Sequence, residues 1–121
     1  MSQNLPSKAK VVVVGGGVIG CSVAYHLTKL GWSDVLLLEK AQLTSGTTWH
    51  AAGLIVSGLL NDETSADIFT YSRNLYATLE QETGLSTGFK SIGYLQVACD
   101  TERLEEMRRS AAFMRNFGID C

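Results

Sequence analysis

The chain has 121 residues, of which 45% are hydrophobic and 18% are charged, and its formal net charge is −2. This length fits one domain or less, and the composition is that of an ordinary α/β globular protein. The weak negative charge gives no basis for nucleic-acid binding, and no apolar run is long enough to span a membrane.

The three cysteines, Cys21, Cys99 and Cys121, have neither metal-binding nor redox spacing. A sparse and odd count of cysteines is typical of a reducing compartment, here the cytoplasm or the mitochondrial matrix. The sequence therefore predicts no metal site.

A strand, a glycine-rich turn and a helix follow one another near the start of the chain. The run Val11–Val14 is entirely β-branched, which favours a short buried strand. Gly15, Gly17 and Gly20 come next in the spacing G-x-G-x-x-G, and a helical pattern continues to about Leu30. The apolar residues of this helix cover a wide face, which predicts burial against a sheet.

A second strand completes the unit. The apolar run Val35–Leu38 follows Gly31, a natural residue to close the helix, and it ends in Glu39, 19 positions after Gly20. Strand, glycine turn, helix and strand ending in an acid form the βαβ unit that binds dinucleotides. A carboxylate at this place suits free ribose hydroxyls and would repel a 2′-phosphate, so NADP is disfavoured. A glycine-rich turn that binds nothing is the alternative.

Each glycine of the motif has a predicted task. Gly15 permits the tight turn out of the strand, and Gly17 lets the backbone approach a pyrophosphate without a Cβ between them. Gly20 allows close packing of the helix on the strand. The pyrophosphate would lie at the helix N-terminus, where free N–H groups and the positive end of the helix dipole favour an anion.

The segment after Glu39 is rich in small residues and hydroxyls. Ser45–Thr48 and His50–Gly53 would let the backbone lie against a flat ligand, while hydroxyl and N–H groups serve phosphate or ribitol oxygens. A flexible surface loop is the alternative. A plain NAD-dependent dehydrogenase would not be expected to have this segment, which argues against that function.

The second half of the chain is predicted to be mainly helical. A stripe at Ile68, Tyr71, Leu75 and Leu79 indicates a helix that ends at Gly84. The pair of Thr64 and Asp67 resembles a capping box at its start. A short strand is predicted at Tyr94–Ala98, followed by a last helix capped by Asp100 or Thr101. Because only two strands are clear and a doubly wound sheet needs more, we expect an N-terminal piece of a longer protein.

Two segments, VVVVGGGVIGCSVAYHLTKLGWSDVLLLEK and LTSGTTWHAAGL, resemble the N-terminus of the dimethylglycine and sarcosine dehydrogenase family. These are FAD-dependent amine oxidoreductases of the D-amino-acid-oxidase-like class. The resemblance implies an α/β fold with a Rossmann-like FAD-binding βαβ unit and an incomplete doubly wound sheet, followed by helices and the start of a substrate domain. Residues 8–60 would be the N-terminal part of the FAD-binding domain. Residues 61–121 would supply a helix, a short strand and a helix leading into a truncated substrate domain.

The resemblance also implies the residues that bind FAD. In the dehydrogenases, the histidine that matches His50 in the W-H-x-A-G-L motif is bonded covalently to the 8α-methyl group of the flavin; a non-covalent loop histidine is the alternative. The implied cofactor-binding residues are Gly15, Gly17, Val18, Ile19, Gly20, Glu39, Lys40, Gly46, Thr47, Thr48, Trp49 and His50. No residue of this chain is assigned a catalytic role.

The activity implied is oxidation of the C–N bond of an N-methylated amino acid, such as sarcosine or dimethylglycine, by hydride transfer to flavin. Folate and an electron-transfer protein are the implied further partners, beside the small amine substrate. The alternatives are a non-catalytic regulatory relative, since the family includes a phosphatase regulatory subunit, and a truncated product without activity. The 121 residues alone are expected to be inactive and to retain FAD weakly.

Overall fold

The computed structural model describes residues 5–56 and 62–121 and has the predicted α/β character. The chain divides into two compact units, Met1–Gly53 and Leu54–Cys121. The elements, in chain order, are strand β1 (Val11–Val14), helix α1 (Val18–Lys29), strand β2 (Val35–Leu38), a 3₁₀ turn (Thr47–His50), helix α2 (Glu63–Thr83) and helix α3 (Thr101–Arg115).

The first unit is the predicted βαβ unit. Strands β1 and β2 pair in parallel, with Val11 opposite Val35 and Val14 opposite Leu38. Helix α1 makes the crossover and packs against both strands. The amide of Gly15 donates to the carbonyl of Leu38 (2.8 Å), so the ladder continues into the glycine turn. The turn is therefore fixed to the carboxyl end of the sheet, where open α/β folds bind their ligands.

The ends of α1 follow from their glycines. Gly17 is the N-cap and has an extended backbone; because it is a glycine, the N-cap residue cannot cap the helix with a side chain. At the other end, Leu30 is the C-cap and Gly31 has a φ of +89°, which confirms the predicted closing role of this glycine.

The burial predicted for the apolar face of α1 is only partial. Ile19 and Leu30 are 78% and 77% exposed, and Val14 of β1 is 82% exposed. Two strands of four residues offer a narrow surface, so they cannot cover a wide helix face. Parallel sheets are ordinarily covered on both sides, and here much of that apolar surface faces solvent.

In the second unit, α2 begins earlier than its predicted capping box. Asp62 is the N-cap, and its carboxylate accepts from the Ser65 amide (2.9 Å). The capping role expected of Thr64 is wrong, because Thr64 lies within the first turn while Asp62 has the extended backbone that a cap requires. Gly84 closes the helix with a φ of +70°, as predicted.

The strand predicted at Tyr94–Ala98 is not formed. Within residues 5–56 and 62–121, only β1 and β2 are strands. A strand requires a hydrogen-bonded neighbouring strand. Alternating apolar residues such as Leu95 and Val97 favour an extended backbone but do not provide that neighbour. Helix α3 follows, and of its two candidate caps Asp100 has this role, accepting from the Arg103 amide (2.7 Å).

The helices in the described ranges are each too short or too polar to cross a bilayer. The same ranges contain no cluster of three or more His, Cys, Asp or Glu side chains able to hold a metal ion.

Candidate functional site

The glycine turn between β1 and α1 is tightly packed. Gly15 has a φ of +104°, a conformation that L side chains rarely adopt. A Cβ added to Gly20 would overlap the carbonyl oxygen of Gly15 and come within 3.4 Å of the Val13 side chain. The close packing predicted for Gly20 is therefore present, and α1 starts directly against the turn.

The first turn of α1 has unused hydrogen-bond donors. Among the described residues, the amides of Gly17, Ile19 and Gly20 have no acceptor, whereas the Val18 amide donates to the Thr48 hydroxyl oxygen (2.9 Å). These amides stand at the positive end of the helix dipole, where an anion is stabilised. The turn thus has the donors and the charge that a pyrophosphate group requires.

Glu39 joins the end of β2 to the glycine turn. One carboxylate oxygen, Oε2, accepts from the Gly16 amide (2.7 Å), and Oε1 accepts from the Ala41 amide (2.9 Å). These two backbone bonds, that of Gly16 first, hold the pKa of the Glu39 carboxyl below its ordinary value. Glu39 is therefore ionised at neutral pH and fixed beside the turn, as a ribose-binding carboxylate would need to be.

Gly16 is a functional residue that the sequence reasoning missed. Its amide is bonded to Glu39, and its carbonyl accepts from the Thr44 amide (2.9 Å). A Cβ at Gly16 would lie 2.5 Å from Leu43 Cδ2 and 3.0 Å from Glu39 Cβ. The signal was available: the motif needs Gly15 and Gly17, yet the sequence has three glycines in succession.

Thr44 has an unusual backbone conformation. Its φ of +63° is the only positive value at a non-glycine residue among those described. A β-branched residue in this region is a genuine outlier and costs energy. The bond from its amide to Gly16 holds this conformation, so the segment after β2 folds back onto the glycine turn.

The 3₁₀ turn Thr47–His50 lies against the start of α1. Besides accepting from Val18, the Thr48 hydroxyl oxygen would be 3.1 Å from a Cβ placed on Gly17. The carbonyl of Gly46 receives the Trp49 amide (3.2 Å) and also contacts Nδ1 of His50 (3.0 Å). Since a carbonyl oxygen only accepts, Nδ1 carries the proton of the neutral ring and Nε2 keeps a free lone pair.

The structure brings several of the residues predicted from the sequence close together. The glycine turn, Glu39 and Thr48 form one bonded cluster, and His50 belongs to the same short turn as Thr48. The other members are less engaged: Lys40, Thr47 and Trp49 are exposed, and Trp49 is 77% exposed. Their predicted role in binding rests on the resemblance.

Comparison with known proteins shows the family to which the chain belongs. Residues 10–121 match the family of FAD dependent oxidoreductases (DAO). The chain belongs to this family, and the resemblance to the sarcosine and dimethylglycine dehydrogenases is confirmed. The fold class is confirmed as well, since the structural relatives are oxidoreductases with the same arrangement.

Among individual relatives, human sarcosine dehydrogenase (mitochondrial) is 43% identical over 120 residues, which are 98% of this chain and 13% of that protein. The mouse pyruvate dehydrogenase phosphatase regulatory subunit (mitochondrial) is 42% identical, over 95% of this chain and 13% of the relative. In structure, L-proline dehydrogenase from P. horikoshii superposes with a TM-score of 0.85 at 33% identity, covering 95% of this chain and 30% of the other. The chain thus spans about one eighth of the length of these sequence relatives.

Proposed function

We propose that this chain supplies the ADP-binding part of the FAD site in an oxidoreductase that acts on N-methylated amino acids. The free amides at the start of α1 would hold the pyrophosphate, and Glu39 would accept from the adenosine ribose hydroxyls. The observation that carries the proposal is the bonded cluster of glycine turn, Glu39 and Thr48 in a chain 43% identical to sarcosine dehydrogenase.

The residues present fit the cofactor. The glycine turn leaves donors without a partner, and the carboxylate beside it is ionised. We infer the binding residues to be Gly15, Gly17, Val18, Ile19, Gly20, Glu39, Lys40, Gly46, Thr47, Thr48, Trp49 and His50. FAD, when bound, supplies a two-electron acceptor for a hydride from the substrate carbon.

The proposed substrate class is supported by the similarity to sarcosine and dimethylglycine dehydrogenases. Sarcosine and dimethylglycine each carry an N-methyl carbon next to a nitrogen with a lone pair. Loss of hydride from that carbon leaves an iminium, which water hydrolyses to formaldehyde and the demethylated amine. Folate as an acceptor of the one-carbon unit, an electron-transfer protein and the mitochondrial matrix as the location belong to the same proposal, the last supported by the mitochondrial relatives.

His50 is proposed as the site of covalent attachment to the flavin. Attachment requires a nucleophilic imidazole nitrogen, and in the neutral ring the Nδ1 contact with the Gly46 carbonyl places the proton on Nδ1 and leaves the lone pair of Nε2 free. His50 is exposed and stands in the turn that Thr48 holds against α1, which supports access to a bound cofactor.

The test uses the complete protein and two readouts. We expect a yellow protein whose flavin fluorescence survives acid precipitation, and loss of that acid-stable flavin in His50→Ala. Sarcosine or dimethylglycine should bleach the flavin without oxygen, while betaine should not, because its quaternary nitrogen has no lone pair to form an iminium. A colourless protein would refute the proposal; a yellow protein whose flavin is released by acid would refute only the covalent bond.

A non-catalytic regulatory function is the second candidate. The chain is 42% identical to the phosphatase regulatory subunit and 43% identical to sarcosine dehydrogenase, so sequence identity alone favours the regulatory function almost as strongly as the enzymatic one. His50 argues for the enzyme, because a protein without flavin chemistry has no use for a nucleophilic imidazole at this place. Flavin bleaching by substrate separates the two, since only the enzyme predicts it.

A further inference from the structure

We propose that Thr48 is a positioning residue that transmits occupation of the glycine turn to His50. The inference rests on the proposed function, because it concerns the same nucleotide site. Its starting point is the Thr48 hydroxyl, which accepts from Val18, a residue 30 positions earlier in the chain. Thr48 is half-buried, whereas both its neighbours in the 3₁₀ turn, Thr47 and Trp49, are exposed.

The first step of the argument concerns α1. A helix leaves its first amides without partners, and a side chain usually caps them locally. Here Gly17 has no side chain, and Thr48 provides the cap from a distant segment. The amides that would bind a pyrophosphate, those of Gly17, Ile19 and Gly20, belong to the same turn as the Val18 amide. An anion that orders this turn therefore also fixes the donor on which Thr48 depends.

The second step concerns the 3₁₀ turn. Thr48 and His50 are two positions apart within one turn, and the Thr48 carbonyl accepts from the Ala51 amide (3.3 Å). The Gly46 carbonyl receives both the Trp49 amide and the His50 ring. When Thr48 is held, the whole turn is held, and the imidazole keeps its Nδ1–H on Gly46.

The chemical consequence is a more reactive Nε2. An imidazole whose Nδ1–H donates to a carbonyl is fixed in one tautomer and is more basic at the other nitrogen. Order in the glycine turn should therefore raise the nucleophilicity of His50. Direct shielding of His50 by a ligand would have the opposite effect.

The experiment measures the carbethoxylation of His50 by diethyl pyrocarbonate with and without ADP. The complete protein is produced under riboflavin limitation, so that it is free of flavin, and the His50 peptide is quantified by mass spectrometry. The reaction is run at about pH 8, where an ordinary imidazole is neutral. His26, the other histidine of the 121 residues, serves as an internal reference. The affinity for ADP is measured by calorimetry for each variant, and ADP is used at saturation.

We expect ADP to accelerate the modification of His50 about fivefold in the wild type and in Thr48→Ser, which keeps the hydroxyl. In the isosteric Thr48→Val, ADP should bind more weakly but still reach saturation, because Glu39 and the amides of the glycine turn are unchanged, and the acceleration at saturation should stay below about twofold. Thr28→Val is the matched control, because its hydroxyl bonds to Tyr25 in the same helix but near the other end. This control should respond to ADP as the wild type does.

The remaining outcomes are separable. Equal acceleration in Thr48→Val, or slowing by ADP in every variant, would overturn the positioning role and leave the proposed function intact. Complete loss of ADP binding in Thr48→Val would show that Thr48 acts on the nucleotide itself and does not transmit its presence to His50, which also overturns the positioning role. Loss of the response in Thr48→Ser would do the same, since the hydroxyl is retained. A wild-type protein that does not bind ADP would refute the nucleotide site itself.

Discussion

The two units of the chain are stabilised by hydrogen bonds of different reach. In the first unit, Gly16 is bonded to Glu39 and Val18 to Thr48, over 23 and 30 positions of sequence. In the second, the caps and ion pairs of α2 and α3 join residues three positions apart. The nucleotide site is therefore built by distant segments that meet, whereas the helices that follow are specified by their own neighbours. A single substitution in the first unit should disturb two segments at once.

The largest effect is expected from Gly20→Ala. The added Cβ overlaps the Gly15 carbonyl, which is backbone and cannot move aside without shifting α1 from the turn. Overpacking of this kind typically costs about 1–3 kcal/mol, and a clash with backbone belongs at the upper end of that range. Hydrogen exchange measured by mass spectrometry should show faster opening of peptides from both the glycine turn and the 3₁₀ turn. Cys21→Ala, which removes only a weak thiol contact with Gly16, is the control and should change little.

The next effect is expected from Glu39→Ala. This change removes the acceptor of the Gly16 and Ala41 amides and leaves them without a charged partner. ADP affinity should fall on the order of tenfold, as is usual for loss of a charged hydrogen-bonding group. Asp34→Ala is matched to it, because Asp34 accepts from the Lys10 amide at the other end of β2. Unchanged ADP affinity in Glu39→Ala, or equal losses in both variants, would contradict the role of Glu39.

The same carboxylate predicts a dependence on pH. Because the folded state holds the pKa of Glu39 below its ordinary value, the ionised form contributes stability that is complete above that ordinary value. This contribution is lost as the pH falls through the lower pKa of the folded state. Protection of the Gly16 and Ala41 amides, corrected for intrinsic exchange, should therefore fall in the acid range. In Glu39→Gln the same amides should show no such decline, and a decline of equal size there would exclude Glu39 as its cause.

The sequence predicted the first unit well because its signals are local and strong. A β-branched run, closely spaced glycines and a second apolar run each define a backbone conformation with few alternatives. The third consecutive glycine is a signal that Gly16 is constrained, but its bonding partners and the positive φ of Thr44 could not be predicted, because they arise when the segment after β2 folds back on the turn. No periodicity in the sequence encodes that approach.

In the second unit the helices were predicted, but one helix cap and one strand were not predicted correctly. Its helices follow from their apolar stripes and from Gly84, but the cap of α2 was assigned to Thr64 when Asp62 has that role. Both residue types cap helices well, and only the backbone decides between them. The strand expected at Tyr94–Ala98 failed for a different reason, since alternation describes a face but does not provide a partner strand.

A smaller effect is expected at the start of α2. Asp62→Ala removes the bonds to the Ser65 amide and hydroxyl, and exchange of the first-turn amides should become about fivefold faster. Thr64→Ala should leave exchange nearly unchanged, because Thr64 is not the cap. Equal effects of the two substitutions would mean that the helix starts elsewhere. Any change in amide exchange should stay within α2, whereas Gly20→Ala should change exchange in both the glycine turn and the 3₁₀ turn.

The smallest effect is expected on the surface of α3. Glu105 and Arg108 form an ion pair of 2.6 Å with both side chains more than half exposed. Exposed pairs of this kind contribute little, so Glu105→Gln should change amide exchange in α3 by less than about twofold. An effect as large as that of Asp62→Ala would show that the pair does more than its exposure suggests.

The bonds at both ends of the segment from Glu39 to Thr48 also constrain its length. Surface loops generally tolerate insertions and deletions, because little fixes their interior. This segment is bonded to the start of the βα connection at three places: Glu39 and Thr44 bond to the amide and the carbonyl of Gly16, and Thr48 bonds to the Val18 amide. An added or missing residue would move at least one of these bonds out of register. The nine peptide bonds from Glu39 to Thr48 therefore set the distance between the carboxylate and the hydroxyl. In protein engineering, tags, linkers or permuted termini should be placed outside this segment.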